Sequence, residues 1–143
     1  HKVTIVPSTS GAGGATFSSP PDTTLMSKEE LLNTVKMLYA GRAGEEILMG
    51  HSDKITSGAS ADIQQATRLL KAYFAEYGMS ERFGMVLIED EKFYMNEVFE
   101  LSKQLYSETL NFLQENKLSL VSIAEALIEH ETLTSEEVDE LLK

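Results

Sequence analysis

Two short segments near opposite ends of the chain dictate where helices must begin, and they limit the fold more than any other feature. Ser27-Lys28-Glu29-Glu30 is a capping box: the Ser27 hydroxyl can accept from the Glu30 amide, and the Glu30 carboxylate can reach back. Met26 and Leu31 sit across that cap as a hydrophobic staple. Thr134-Ser135-Glu136-Glu137 repeats the device, with Leu133 and Val138 as its staple. After the first box, Leu31, Val35, Leu38, Arg42 and Ile47 recur at near-helical spacing, and Gly50 can terminate the helix. Gly41 and Gly44 interrupt this helix. Each costs about 1 kcal/mol against Ala, so close packing against another backbone is expected there.

A second helix follows the turn Thr56-Ser57-Gly58-Ala59-Ser60, with Ser60 as its N-cap. Ile63, Ala66, Leu70, Tyr73 and Tyr77 form its apolar face, Gly78 stops it, and Asp62 falls in its first turn. A third helix is expected from Asn96 to Asn116, with Val98, Leu101, Leu105 and Phe112 on one face. A fourth runs from Leu118 to His130, with Val121, Ala124, Leu127 and Ile128 inward, and the fifth starts at the second capping box. The β-branched residues of His1 to Val6 read as a short strand ended by Pro7, Ala15-Thr16-Phe17 as a weak second strand, and Val86-Leu87-Ile88 as a third. The expected fold is therefore mainly α (α+β), a bundle of about five helices with a small N-terminal β-sheet.

A chain of 143 residues suits one domain with an adequate core. Within a single domain 1–143, the pattern separates a strand and loop region 1–25, helices 26–88 that carry the candidate site, and an acidic helical part 89–143. Residues 1–88 hold nine acids and eight bases, whereas 89–143 hold fourteen acids and four bases. The acidic part reads as a solvated face. The net charge of −11 argues against binding to nucleic acid or an anionic membrane. Cysteine is absent, which excludes a disulfide framework, a thiolate zinc site and a cysteine nucleophile. No apolar run approaches the roughly 18 residues of a membrane span, and no signal-peptide pattern opens the chain.

Chemistry could sit in three places. In Gly41-Arg42-Ala43-Gly44-Glu45-Glu46 the adjacent carboxylates point about 100° apart on a helix, so at most one follows the apolar stripe inward. Glu46 is nearer that stripe. It either pairs with Arg42 four residues back or is an inward carboxylate that needs a partner or a metal. Asp62, in a first helical turn, is kept ionised by the exposed amides, which suits either simple charge complementarity or metal ligation. The histidines His1, His51 and His130 have no ligand spacing among themselves. His130-Glu131 opens like a zincin motif, but Thr134 stands where the second His would be, so there is no H-E-x-x-H. No serine nucleophile motif is present, and the glycines of Gly11 to Gly14 lack the Lys-Ser/Thr of a phosphate loop.

The run Gly41-Arg42-Ala43-Gly44-Glu45-Glu46-Ile47, together with Thr56-Ser57-Gly58-Ala59-Ser60-Ala61-Asp62-Ile63, resembles the peptidase domain of the FtsH-type, membrane-anchored AAA+ zinc metalloproteases. The resemblance continues through Gln65-Ala66-Thr67 and Tyr77-Gly78-Met79-Ser80-Glu81-Arg82-Phe83-Gly84. His1 to Pro7 and Leu118 to Leu142 extend it over nearly the whole chain. It implies that Asp62 is the third zinc ligand. Glu46, with Glu45 as the alternative, would support the zinc histidines. Ala15, Thr16, Phe17 and Ser18 would form the edge strand that pairs with extended substrate.

In that family the H-E-x-x-H lies upstream of the segment matching His1. The resemblance therefore implies that two zinc ligands and the catalytic base are missing, and that the chain alone is inactive, with no catalytic residue of its own. The implied parent is an ATP-dependent zinc endopeptidase that degrades unfolded and membrane proteins. It would hold Zn2+ at this domain and ATP with Mg2+ at a separate AAA+ ATPase domain of the same chain, and would assemble as a homo-hexamer. It would be membrane-anchored with this domain on the cytoplasmic face, or the matrix or stroma side in an organelle, the fragment itself being soluble. The alternative is a non-catalytic, peptidase-like scaffold or oligomerisation module. Ala61 stands where the family usually has Asn.

Overall fold

The computed structural model describes residues 2–4, 15–17, 25–50 and 52–143. It comprises two compact units, residues 1–24 with 116–143 and residues 25–115. The fold is mainly helical, with five α-helices, as the hydrophobic periodicity implies.

The larger unit contains three helices: α1 (Lys28–Met49), α2 (Ser60–Ala75) and α3 (Met95–Glu115). The hydroxyl half of the first capping box forms as expected: the Ser27 hydroxyl accepts from the Glu30 amide at 3.1 Å. Met26 packs at the edge of the core and Leu31 is fully buried, so the staple closes. The core joins Leu31, Val35 and Tyr39 of α1, Ala66, Leu70, Tyr73 and Phe74 of α2, and Val98 and Leu105 of α3. Burying such side chains stabilises by about 1.5–3 kcal/mol each. The inward stripe of α1 is Leu31, Val35, Tyr39, Ala43 and Gly44 rather than the series through Leu38, Arg42 and Ile47, which are half-buried.

Several details depart from the sequence expectation for physical reasons. Ser60 is the first residue of α2 rather than its cap. The chain enters α2 through a 3-10 turn, Ser57–Ala59, and the Ser60 amide already donates to the Ser57 carbonyl from helical φ and ψ. The capping hydroxyl is that of Thr56, which accepts from the Gly58 amide at 3.2 Å. Residues 86–88 form no strand: the Ile88 amide donates to the Ala75 carbonyl at the end of α2, so this segment folds back along the helix end without meeting a sheet edge. On α3, Phe112 is 63% exposed and Thr109 is buried in its place, its hydroxyl satisfied by the Leu105 carbonyl.

The smaller unit contains β1 (Lys2–Thr4), β2 (Ala15–Phe17), α4 (Lys117–His130), β3 (Thr132–Thr134) and α5 (Ser135–Leu141). The sheet order is β2-β1-β3, antiparallel throughout, with Val3 opposite both Thr16 and Leu133. The two N-terminal strands agree with the expected sheet. The third comes from the far end of the chain, where Thr-Leu-Thr is too short for alternation to show. Thr134 ends β3 and caps α5 by accepting from the Glu137 amide at 3.2 Å, as the second capping box requires. No residue of α4 is buried, and Ile128, expected inward, is 76% exposed.

Two glycines should respond oppositely to the same change. A Cβ on Gly41 meets nothing within 4 Å, so this glycine is not explained by close backbone packing, contrary to expectation. Gly41→Ala should stabilise the protein by about 0.5–1 kcal/mol through helix propensity. Gly78 has φ +61°, and a Cβ there would lie 2.6 Å from the Met85 sulfur. Gly78→Ala should destabilise by about 1–2 kcal/mol. Urea unfolding of the two variants beside the parent checks both signs.

Candidate functional site

The GlyArg segment of α1 presents three polar side chains in different directions within little more than one turn. Glu45 and Glu46 are neighbours, so they point about 100° apart and meet different parts of the unit. Glu46 accepts a short hydrogen bond from the Tyr106 hydroxyl of α3. Glu45 accepts from both the backbone amide and, at 3.0 Å, the hydroxyl of Thr56. Arg42 donates from Nη2 to the Thr56 carbonyl at 2.9 Å. The Arg42–Glu46 ion pair suggested by spacing does not form among the described residues, because each group has a partner on another element. The Arg42 Nε is buried and has no partner among the described residues.

Beside these groups a cavity of about 360 Å³ opens between the three helices. Its polar wall is Arg42, Glu46, Tyr39, Ser102 and Tyr106, and its apolar wall includes Leu38, Ile55 and Ile63. The Tyr39 and Ser102 hydroxyls share a hydrogen bond of 2.7 Å. The rings of Tyr39 and Tyr106 meet edge to face at 5.9 Å. Burial pushes the Tyr106 phenol well above its usual value, and the hydrogen bond to Glu46 adds to this by holding the proton between them.

Asp62 lies in the first turn of α2, where the helix dipole favours its charge. It is half-buried and makes no hydrogen bond or ion pair among the described residues. The adjacent Ile63 lines the cavity with Glu46, whereas Asp62 does not. An unpaired, partly desolvated carboxylate is a good metal donor because ligation supplies the missing counter-charge. Zinc at a catalytic site takes three protein donors. A carboxylate such as Asp62 is a donor of the kind such a site uses, but among the described residues no three His, Asp or Glu side chains converge to hold a metal.

The remaining sequence candidates are dispersed. Ala15, Thr16 and Phe17 form β2 at one edge of the small sheet, and Ser18 lies outside the described residues. His1 and His51 also lie outside them, as does the glycine run 11–14. His130 is exposed at the end of α4, 3.9 Å from Glu129. Sequence reasoning missed Thr56 and Tyr106. Thr56 carried a signal as the first residue of the Thr-Ser-Gly turn. Tyr106 lay beside the expected apolar face of its helix and carried none.

The chain belongs to Peptidase family M41, whose profile it matches over residues 1–141. The FtsH-type character seen in the GlyArg and Thr-Ser-Gly motifs is therefore that of an FtsH-type peptidase domain. Among its relatives, the ATP-dependent zinc metalloprotease FtsH of Lachnoclostridium phytofermentans is 39% identical over 98% of this chain and 25% of that protein. The mitochondrial inner membrane m-AAA protease component yta12 of Schizosaccharomyces pombe is 36% identical over 99% of this chain and 20% of that protein. The ATP-dependent zinc metalloprotease FTSH 11, chloroplastic/mitochondrial, of Arabidopsis thaliana is 36% identical over 99% of this chain and 18% of that protein. The chain thus spans about a quarter or less of the length of these relatives.

Alkaline titration tests the Tyr106–Glu46 contact. The folded-state value of Tyr106 is raised above its ordinary 10.0, so its contribution is fully present below about pH 10 and is lost as pH rises through the folded value. In an ultraviolet titration Tyr106 should ionise above the ordinary tyrosine value, as a late step. Tyr106→Phe should remove that late step and cost about 1–3 kcal/mol, because half-buried Glu46 loses its donor.

Proposed function

We propose that this chain is the peptidase part of an ATP-dependent zinc metalloendopeptidase, and that Asp62 is one of its zinc ligands. The observation that supports this most is that the Asp62 carboxylate, at the start of α2, has no side-chain partner among the described residues, in a chain of Peptidase family M41. When bound, zinc supplies a Lewis acid that polarises the scissile carbonyl and acidifies a water. The two remaining ligands and the general base are proposed to come from an H-E-x-x-H preceding His1 in the full polypeptide.

Within this chain each residue has a distinct task. Asp62 presents a carboxylate oxygen from the first turn of a helix. Glu46 supports the ligand histidines by accepting from a ring N–H, with its orientation set by Tyr106. Glu45, the alternative for that role, is engaged with Thr56. The edge strand β2 is proposed to pair through its backbone with extended substrate, which tolerates many side chains and suits a degradative enzyme. Residues 1–143 are read together as one peptidase domain, since the family profile spans nearly all of it.

For the whole protein we infer an AAA+ ATPase domain in the same polypeptide, a homo-hexameric assembly, and unfolded or membrane proteins as substrates. We infer membrane anchorage with this domain on the cytoplasmic, matrix or stroma side. No described helix is long and apolar enough to cross a membrane, so the anchor would lie elsewhere in the polypeptide.

Asp62→Asn in the full polypeptide that carries this chain tests the proposal. Zinc affinity should fall and casein hydrolysis should be lost while ATP hydrolysis persists. Zinc content and proteolysis equal to the parent's would overturn the ligand assignment.

A further inference from the structure

We propose that Thr56 is a positioning residue for Asp62, held in place by Glu45 and Arg42 of α1. This rests on the reading of Asp62 as a zinc ligand. All three polar groups of Thr56 are engaged from one turn of α1. Its amide donates to Glu45 Oε1, its hydroxyl donates to Glu45 Oε2 at 3.0 Å, and its carbonyl accepts from Arg42 Nη2 at 2.9 Å. Each of these bonds has one charged partner, which makes it shorter and stronger than a neutral pair. One residue is thus gripped at both ends of its backbone by the helix beside it.

The grip is transmitted along six residues. The Thr56 hydroxyl also accepts from the Gly58 amide at 3.2 Å and so starts the 3-10 turn Ser57–Ala59. A Cβ on residue 58 would come within 3.2 Å of that hydroxyl oxygen, so glycine there leaves it room. The turn closes with the Ser60 amide on the Ser57 carbonyl and runs without a break into α2. Buried Ala59 seats it against the core. Asp62 follows in the first turn of that helix. It has no side-chain partner of its own among the described residues, so its carboxylate is oriented by its backbone, and its backbone by Thr56. Glu45 thereby acquires a task separate from that of Glu46: it fixes a ligand through the peptide chain.

The test is zinc affinity by chelator competition in the full polypeptide, with the melting temperature of the zinc-free protein measured alongside. Thr56→Val keeps the shape and removes the hydroxyl. It should weaken zinc binding about 10- to 100-fold, the range typical of groups that orient a ligand, and Thr56→Ser should restore it. Glu45→Gln should weaken it in the same direction, and serves if Thr56→Val fails to fold. The decisive comparison is made in the Asp62→Asn background, where Thr56→Val or Glu45→Gln should cause no further loss, because the two sites act through one ligand. An equal loss with and without Asp62 would mean the clamp is structural only and would overturn the proposal. If Asp62→Asn weakens zinc binding but neither clamp variant does, the positioning role fails while the ligand assignment stands. If Asp62→Asn itself leaves zinc affinity unchanged, both fall.

Discussion

The packing of one stripe of α1 against α2 and α3 is the constraint on which the larger unit depends. Leu31, Val35, Tyr39 and Ala43 recur every four residues and are buried along the length of that stripe. Once they face the core, the helical step determines where everything else on α1 must point. Arg42, Glu45 and Glu46 sit just off the stripe, where a charged head can reach a neighbouring element without being fully desolvated. The two glutamates then diverge, one to the turn before α2 and the other to α3. A single helix thereby sets both the entry to α2 and the orientation of a carboxylate facing the inter-helical cavity.

Partner choice explains why Arg42 and Glu46 do not pair. A helical i, i+4 ion pair contributes about 0.2–0.5 kcal/mol. A charge-assisted hydrogen bond to a backbone carbonyl or a half-buried phenol is worth more, about 1.5–3 kcal/mol. Thr56 and Tyr106 offer those stronger contacts, and each ties α1 to another element. Asp62 is the exception in this network. It lies close to it in sequence, carries a full charge, and has nothing to neutralise it among the described residues. By contrast, Arg42, Glu45 and Glu46 of the GlyArg segment each have a partner on another element.

Much of the fold was legible because local signals and packing agree. The hydroxyl caps of both capping boxes form, the helices begin within a residue or two of expectation, and the N-terminal strands pair. Disagreements arose where tertiary contacts outweigh local preference. Ser60 looked like a cap, but the preceding 3-10 turn already satisfied its amide. Val86-Leu87-Ile88 has strand composition, yet the end of α2 offered its backbone a nearer acceptor. β3 is three residues long, and its pairing with β1 spans almost the whole sequence, which no local pattern can encode. At the site, Asp62 and the two glutamates were visible as residue types at helical positions. Thr56 and Tyr106 were not, because they matter through contacts across 11 and 60 positions of chain.

The central claim is that Asp62 supplies a carboxylate oxygen to the metal. X-ray absorption at the zinc edge, on the full polypeptide and its Asp62→Asn variant under matched metal loading, tests it most directly. A mixed nitrogen and oxygen shell that loses a protein oxygen in the variant is the predicted result. Identical shells in the two proteins would contradict it.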